Sequence, residues 1–217
     1  MLTAYWKISV NDIEKKPSLR ISPYVFGRVQ VKNRVTYLID SKGEGTATGT
    51  PERVVLTRWR QRKFPDHSFS GEKLSSTLWR AVAMAYGKNA EKIYKMSLER
   101  LQTVKDEKKE SLNSSGFLKL PAASTLFSLF QICGPQIIQA LLDKHTSKEH
   151  EGKSGVPDLF LYATNKITGR PTIARFVEVK KPLEPISLEQ RAEIALLNSM
   201  GLHARVMRLI EKPSKKK

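Results

Sequence analysis

Three side chains with chemical potential lie in one stretch, GVPDLFLYATNKITGRPTIARFVEVKK, residues 155–181: Asp158, Glu178 and Lys180. Each sits in or beside an apolar run, where a charge is costly unless it is paired or hydrogen-bonded. Residues 158–163 and 172–180 read as strands, and the TNKITGRP between them has turn chemistry. An antiparallel hairpin with its tip near Thr168 sets Asp158 opposite Glu178. Side chains alternate along a strand, so Glu178 and Lys180 share one face while Val177 and Val179 take the other. Two facing carboxylates repel unless a cation lies between them. Carboxylates are the hard oxygen donors that Mg²⁺ and Mn²⁺ accept, and the Val179 carbonyl is placed to be a further donor. A lysine beside such a pair can steady an attacking water or the charge developing on a phosphate. The same three residues also describe a bland alternative, a surface ion pair in which Lys180 neutralises both acids.

The elements that position these residues belong to a strongly basic chain. Its 217 residues carry 38 Lys and Arg against 21 Asp and Glu, a formal charge of +17. Such a field favours polyanions, nucleic acid above all, by steering and counterion release. Solubility, ribosome binding and an anionic membrane surface are the weaker accounts. The length suits one domain. Cys133 is the only cysteine, which excludes an internal disulfide. It sits in LFQIC and reads as a small buried hydrophobe. That usage fits a reducing interior, so an intracellular location (cytoplasm, nucleoid or nucleus) is expected. No apolar run approaches the ~20 residues of a membrane span, and MLTAYWKISVNDIEKK lacks a basic segment ahead of an apolar one. His67, His145, His150 and His203 show no zinc spacing; His145 and His150 lie in polar surroundings and are expected to be solvated.

Residues 1–46 form an N-terminal strand region. YWKISV is one candidate, and VFGRVQVKNRVTYLI alternates apolar and polar residues. SKGEGTATG is a loop. Thr50 as N-cap and Pro51 at the first helical position open a helix over 50–64. On it Glu52, Val55, Leu56 and Trp59 share a face, with Arg53, Arg58, Arg60 and Arg62 elsewhere. Glu52 therefore begins the apolar stripe, although an acid in a first turn also complements the helix dipole. Residues 70–147 read as helical: GEKLSSTLWRAVAMAYG closed by Gly87, then NAEKIYKMSLERLQTVKDEKKESL, a break at NSSG, and two runs divided at Gly134–Pro135. TSKEHEGKSG is a polar loop. The core resumes over 155–210, and the basic end, 213–217, is expected to be disordered.

Taken together, GVPDLFLY, FVEVKKP and SLEQRAEIALLNSMGLHARVMRLIE resemble the VRR-NUC domain, a branch of the PD-(D/E)xK nuclease superfamily. Upstream, PERVVLTRWRQRKF and HSFSGEKLSSTLWRAVAM resemble the glutamate-bearing helix and the next helix of the Fanconi-associated nucleases. FLKLPAASTLFSLF resembles their helical insertion, and LRISPYVFGRVQVKNRV the strand region ahead of it. The resemblance spans about residues 18–210 and is strongest from 155. It implies an α/β, restriction-endonuclease-like core: a small mixed sheet with the hairpin at its centre, flanked by helices, in one domain over 1–212. Carried over by residue, it makes Glu52, Asp158 and Glu178 metal ligands with the Val179 carbonyl, Lys180 the catalytic lysine, and Gln190 the last member. Ser187 and Gln190 also fit a capping box, which leaves Gln190 two possible roles.

The resemblance further implies a Mg²⁺- or Mn²⁺-dependent, structure-selective nuclease acting on flapped or branched DNA in repair or processing. The family's helical insertion obstructs the dimer that resolves four-way junctions, so a monomer cutting flaps is expected, with a dimeric junction resolvase as the alternative. A catalytically silent DNA-binding module is the reading from another class. Arg58, Arg60, Arg62, Lys63 and Lys181 are the candidate phosphate contacts. The sequence departs from the family in a longer loop between Asp158 and Glu178 and in Lys181, where a small residue is common. The residues ahead of Glu52 are too few for the family's N-terminal DNA-binding module and helical repeats.

Overall fold

The computed structural model describes residues 21–31, 34–38, 46–47, 50–115, 118–147, 155–181 and 183–211, with side chains from Thr50 to Arg208. The expected YWKISV strand, the 213–217 tail, and most of the SKGEGTATG and TSKEHEGKSG loops lie outside the described residues. Seven strands are described: β1 (Ile21–Val31), β2 (Arg34–Leu38), β3 (Thr46–Ala47), β4 (His67–Lys73), β5 (Leu159–Asn165), β6 (Pro171–Lys180) and β7 (Ala204–Glu211). They form one mixed sheet in the order β3-β2-β1-β7-β6-β5-β4. β7 runs parallel to both neighbours, β1 and β6, while the other pairs are antiparallel. The α/β class holds, with more strands than the small sheet expected.

The hairpin of β5 and β6 has the register read from the sequence. Leu159 pairs with Val177, Phe160 with Phe176 and Leu161 with Arg175, which leads to Asp158 beside Glu178. Its tip is an Asx-type turn. Asn165 Oδ1 accepts from the Ile167 and Thr168 amides, both at 2.9 Å, and Gly169 takes φ 67°. A short polar side chain that mimics a backbone turn, followed by a glycine tolerant of positive φ, sets the loop and therefore the register.

Strand alternation divides the core in two. Leu159, Leu161, Val177 and Val179 pack under helix α1 (Pro51–Arg60), against Val54, Val55 and Trp59. Phe160, Tyr162, Phe176 and Val206 face the other way into the larger core. That core is filled by α2 (Leu78–Tyr86), α3 (Ala90–Tyr94), α4 (Leu98–Glu107), α5 (Lys109–Ser114) and α6 (Ala123–Thr146), together with α7 (Leu188–Ser199). Toward its C-terminal end β6 is covered on both faces, so Glu178 and Lys180 are buried along with its valines.

Several expectations are corrected. The stretch HSFSGEK is strand β4, paired along β5 from His67↔Asn165 to Lys73↔Leu159, so the helical insertion begins after it rather than at residue 70. Tertiary pairing overrides the weak strand propensity of a stretch with Ser, Gly, Glu and Lys. Trp59 reinforces it by donating Nε1 to Ser70 O (2.8 Å) and Tyr162 O (3.0 Å). The single long third helix is three, α3 to α5; Asn89 and Ser97 each cap a new start by accepting a backbone N–H.

By length and composition α6 is apolar enough to cross a membrane, contrary to the expectation that no run is. It is interrupted at Gly134 (φ 69°, ψ 166°), as the Gly-Pro pair predicts, and Leu126, Leu129, Phe130, Ile138, Leu141 and Leu142 are buried in the protein core. Cys133 is buried among them, and burial pushes its thiol up to about 12, in keeping with an inert hydrophobe. His145 is not solvated: it is 5% exposed and meets Glu193 Oε1 at 2.9 Å.

Candidate active site

Four elements converge on one end of the hairpin. β5 begins just after Asp158, β6 ends at Lys180, α1 brings Glu52 from its first turn, and α7 brings Gln190. Asp158 is fixed by its own backbone and by its neighbour's. Its carbonyl accepts from Leu74 N (2.8 Å), which ties it to the end of β4, and its Oδ2 accepts from Val179 N (2.9 Å). The bond to Val179 orients the carboxylate across the root of the hairpin.

Glu178 and Lys180 are 2% and 6% exposed. Lys180 Nζ lies 3.0 Å from Glu178 Oε1 and 3.4 Å from Glu184 Oε1. Gln190 Nε2 donates to the same Glu178 oxygen while Gln190 Oε1 accepts from Ser187 N. Gln190 thus closes the capping box and touches Glu178 at once, because one amide has a donor end and an acceptor end. The capping box fixes the rotamer that presents the donor to Glu178. The surface ion-pair alternative fails on burial, since neither partner is at the surface.

Electrostatics separate these acids. Burial, then the charge of Asp158, push the Glu178 carboxyl up to about 7 despite Lys180. Burial likewise raises Asp158 above the usual carboxylate range, although the Val179 amide and the lysines oppose it. Glu52 is lowered: burial would raise it, but hydrogen bonds from Lys73, its own amide and the Thr50 side chain outweigh that. Lys180 is raised, because the attraction of Glu178 and Glu184 exceeds the penalty of burial.

Lys73 was missed by sequence reasoning. Its Nζ lies 2.7 Å from Glu52 Oε1, and its charge also acts on Asp158. The available signal was the strand itself: once HSFSGEK pairs with β5, Lys73 falls beside Leu159, next to Asp158. Glu184 was missed as well; it bonds Lys180 and accepts from Lys181 N (2.9 Å). Gly155, which opens the GVPD stretch, packs so tightly on α7 that a Cβ there would fall 2.2 Å from Glu189 O.

Among the described residues, no three His, Cys, Asp or Glu side chains converge closely enough to hold a metal ion as they stand. Lysines account for this: Glu52 is turned to Lys73 and Glu178 to Lys180. The donor set nevertheless fits a hard divalent cation, with two like-charged carboxyls crowded at the hairpin root, a third on α1, and the Val179 carbonyl between Glu178 and Lys180 in the chain. Burial, with the charge of a neighbouring acid adding to it, raises the carboxyls of both Asp158 and Glu178, a cost that a bound cation would offset.

The candidate phosphate contacts are less uniform. Arg58 and Arg60 end α1, with Arg62 and Lys63 just past it, so this group lies roughly 10–15 Å from Glu52 along the helix. Arg60 Nη2 donates to Gly71 O at 2.5 Å and so supports β4. Arg62 lies over the Trp59 ring, 4.5 Å from its centroid. Lys63 and Lys181 are exposed.

Comparison with known proteins bears on the family and the fold. Residues 105–209 match the family model of the VRR-NUC domain, a stretch that contains Asp158, Glu178, Val179, Lys180 and Gln190 and leaves out Glu52 and Lys73. The match bears out the resemblance carried by GVPD and VEVKK. No curated protein matches the chain. The crystal structure of paFAN1 bound to 2nt 5'flap DNA with gap is similar over 92% of this chain at 13% identity, with a TM-score of 0.51. A second structure of paFAN1, bound to 1nt 5'flap DNA with gap, covers the same 92% at 12% identity with a TM-score of 0.49. The chain spans 39% of the length of the paFAN1 chain. At that identity the first likeness establishes the fold.

Proposed function

We propose that the protein is a DNA nuclease that hydrolyses phosphodiester bonds in flapped or branched DNA with Mg²⁺ or Mn²⁺ at the Glu52–Asp158–Glu178 site. The observation that carries this reading is the facing carboxyls of half-buried Asp158 and buried Glu178 at the hairpin root, with Lys180 on the same side. When bound, the cation supplies a water of lowered pKa and a Lewis acid for the phosphate oxygens. The chain's own residues do the rest. The Val179 amide holds the Asp158 carboxylate in one orientation, and Gln190 holds Glu178. Lys180, buried and kept charged, is the group that steadies the attacking water or the negative charge of the pentavalent phosphate. Lys73 sits where it can do the same from the β4 side.

Support for the substrate class comes from three places. The similar paFAN1 structure is of that protein bound to 5'flap DNA. The charge of +17 favours a polyanion. The helical insertion, α2 to α6, is present, and it is the feature expected to favour a monomer on flaps over a junction-resolving dimer. The location expected from cysteine usage, inside the cell, suits such a role.

The test is a cleavage panel of flap, fork, four-way junction and single-stranded DNA with Mg²⁺ and with Mn²⁺, beside the solution mass. Flap cutting by a monomer is expected; symmetric junction cuts by a dimer would replace the substrate. A second reading, a DNA-binding module without catalysis, is favoured by the lysines that occupy two of the three acids. Binding with no cleavage of any substrate under either metal would establish it.

A further inference from the structure

Beneath the C-terminal end of α1, on the sheet face opposite Glu178, lies a cavity of about 310 Å³ whose lining includes Arg62, Arg175, Arg205, Trp59, Phe64 and Phe69. Arg175 and Arg205 come from adjacent strands. Val177 pairs with Arg205, so Arg175 and Arg205 are diagonal neighbours on the face that otherwise carries Leu161, Val177 and Val179. Like charges side by side on a sheet are destabilising. Among the described residues none of the three arginines has a carboxylate within 4.0 Å. Arg175 uses one N–H on Ala174 O (2.7 Å), and Arg62 rests on Trp59. Burial, then the charges of Arg205 and Arg62, depress the Arg175 guanidinium from its usual value. Three cations gathered without an anion need one.

The rim is aromatic. Phe64 is 59% exposed, with its ring 5.8 Å from Phe69, which in turn meets Trp59 edge-on at 5.1 Å. Guanidinium groups take phosphate in paired hydrogen bonds, and exposed aromatic rings stack unpaired bases. We propose that this pocket binds a nucleotide of single-stranded DNA, its phosphate on Arg62, Arg175 and Arg205 and its base against Phe64. The site serves the strand that is cut or its unpaired arm, and in that respect rests on the nuclease reading. Arg175 is three residues from Glu178 on β6, roughly 10 Å by strand rise, and on the opposite face, the one that α1, which carries Glu52, packs against.

The experiment is fluorescence anisotropy with a labelled thymidine single strand of about ten nucleotides, within the range such sites cover, in EDTA so that nothing is cleaved. The triple variant Arg62→Gln/Arg175→Gln/Arg205→Gln should bind about tenfold or more weakly, with the slope of log K against log salt reduced by about 0.7 for each phosphate it no longer neutralises. Lys88→Gln/Lys92→Gln/Lys95→Gln, which removes the same charge on and beside α3, should bind within about twofold of wild type if the loss is local rather than a loss of general field. Phe64→Ala should weaken binding about fivefold or more. Melting temperatures report folding, and if the triple variant fails to fold, Arg205→Gln and Phe64→Ala carry the test. The proposal is overturned if those two bind like wild type, if the control loses as much as the triple variant, or if thymidine monophosphate binds as tightly as the strand. A wild-type protein that binds in EDTA yet never cuts with metal sinks the nuclease reading while this pocket stands.

Discussion

Glu178 and Glu193 are both almost fully buried, at 2% and 1% exposure, and the protein tunes them in opposite directions. Glu193, on α7, has His145 Nε2 on one carboxylate oxygen and Lys144 Nζ on the other. Burial opposes its charge, but His145 and then Lys144 outweigh it and draw the carboxyl down to about 2. Glu178 has one lysine, shared with Glu184, and faces Asp158; its carboxyl rises to about 7. Burial alone therefore says little about what an acid is for. The partners around it decide: Glu193 has Lys144 and His145, one on each carboxylate oxygen, and fastens α7 to α6, whereas Glu178 has one lysine and a facing acid. The two are mechanically linked, since Glu193 lies one helical turn from Gln190, which holds Glu178.

The sharpest way to break this contrast is at the catalytic end. Asp158→Asn or Lys180→Ala should each lower cleavage of a flap substrate by about 10²–10³-fold or more, and Asp158→Asn should leave the melting temperature close to wild type. A fully active Asp158→Asn/Lys180→Ala protein would remove the assignment. Next is stability. Glu193→Gln abandons a buried cation pair and should cost about 3–5 kcal/mol in urea denaturation. Glu178→Gln removes a like-charge conflict and should change metal-free stability by no more than about 1 kcal/mol, in either direction. Equal losses would mean that the two glutamates do the same job.

The pH dependence should also diverge. The Glu178 carboxyl is raised in the fold, so its stabilising share is complete below its ordinary value of 4.5 and is lost as pH climbs to about 7. Glu193 is depressed, so its share is present above 4.5 and is lost as pH falls toward 2. Denaturation series should thus show the wild-type advantage over Glu193→Gln vanishing in acid, and Mn²⁺ affinity measured calorimetrically rising with pH up to about 7, because ligation requires the carboxylate. The smallest effect expected is at Lys73. It is more than half exposed, and Lys73→Ala should alter Mn²⁺ affinity by no more than about fivefold. A change beyond tenfold would make Lys73 an equal of Lys180.

The sequence made the hairpin legible because a turn with Asn165 and Gly169 fixes the register, and register fixes every facing pair to the root. Glu52 was legible because it is the one acid on an apolar helical stripe, at its start. Gln190 was legible twice, as cap and as site member. What stayed hidden was non-local. β4 is a strand only because β5 and Trp59 meet it, and Lys73 joins the site only as a consequence. The parallel pairing of β1 and β6 with β7 leaves no trace in either segment's own pattern. His145 looked solvated from its polar neighbours; the acid that buries it lies 48 residues away. Arg175 and Arg205 gave no sequence signal, since their adjacency exists only in the sheet.

Gly155 carries a consequence of a different kind. With no side chain, it lets the backbone ahead of Asp158 rest directly on the carbonyl of Glu189. That close approach works as a spacer gauge of zero thickness between the strand that carries one acid and the helix whose amide positions the other. The hairpin between them can grow or shrink at its tip, around Thr168, without disturbing the setting, because the gauge sits at the root. The glycine thus frees the loop to vary in length while the chemistry at the hairpin's base keeps its spacing.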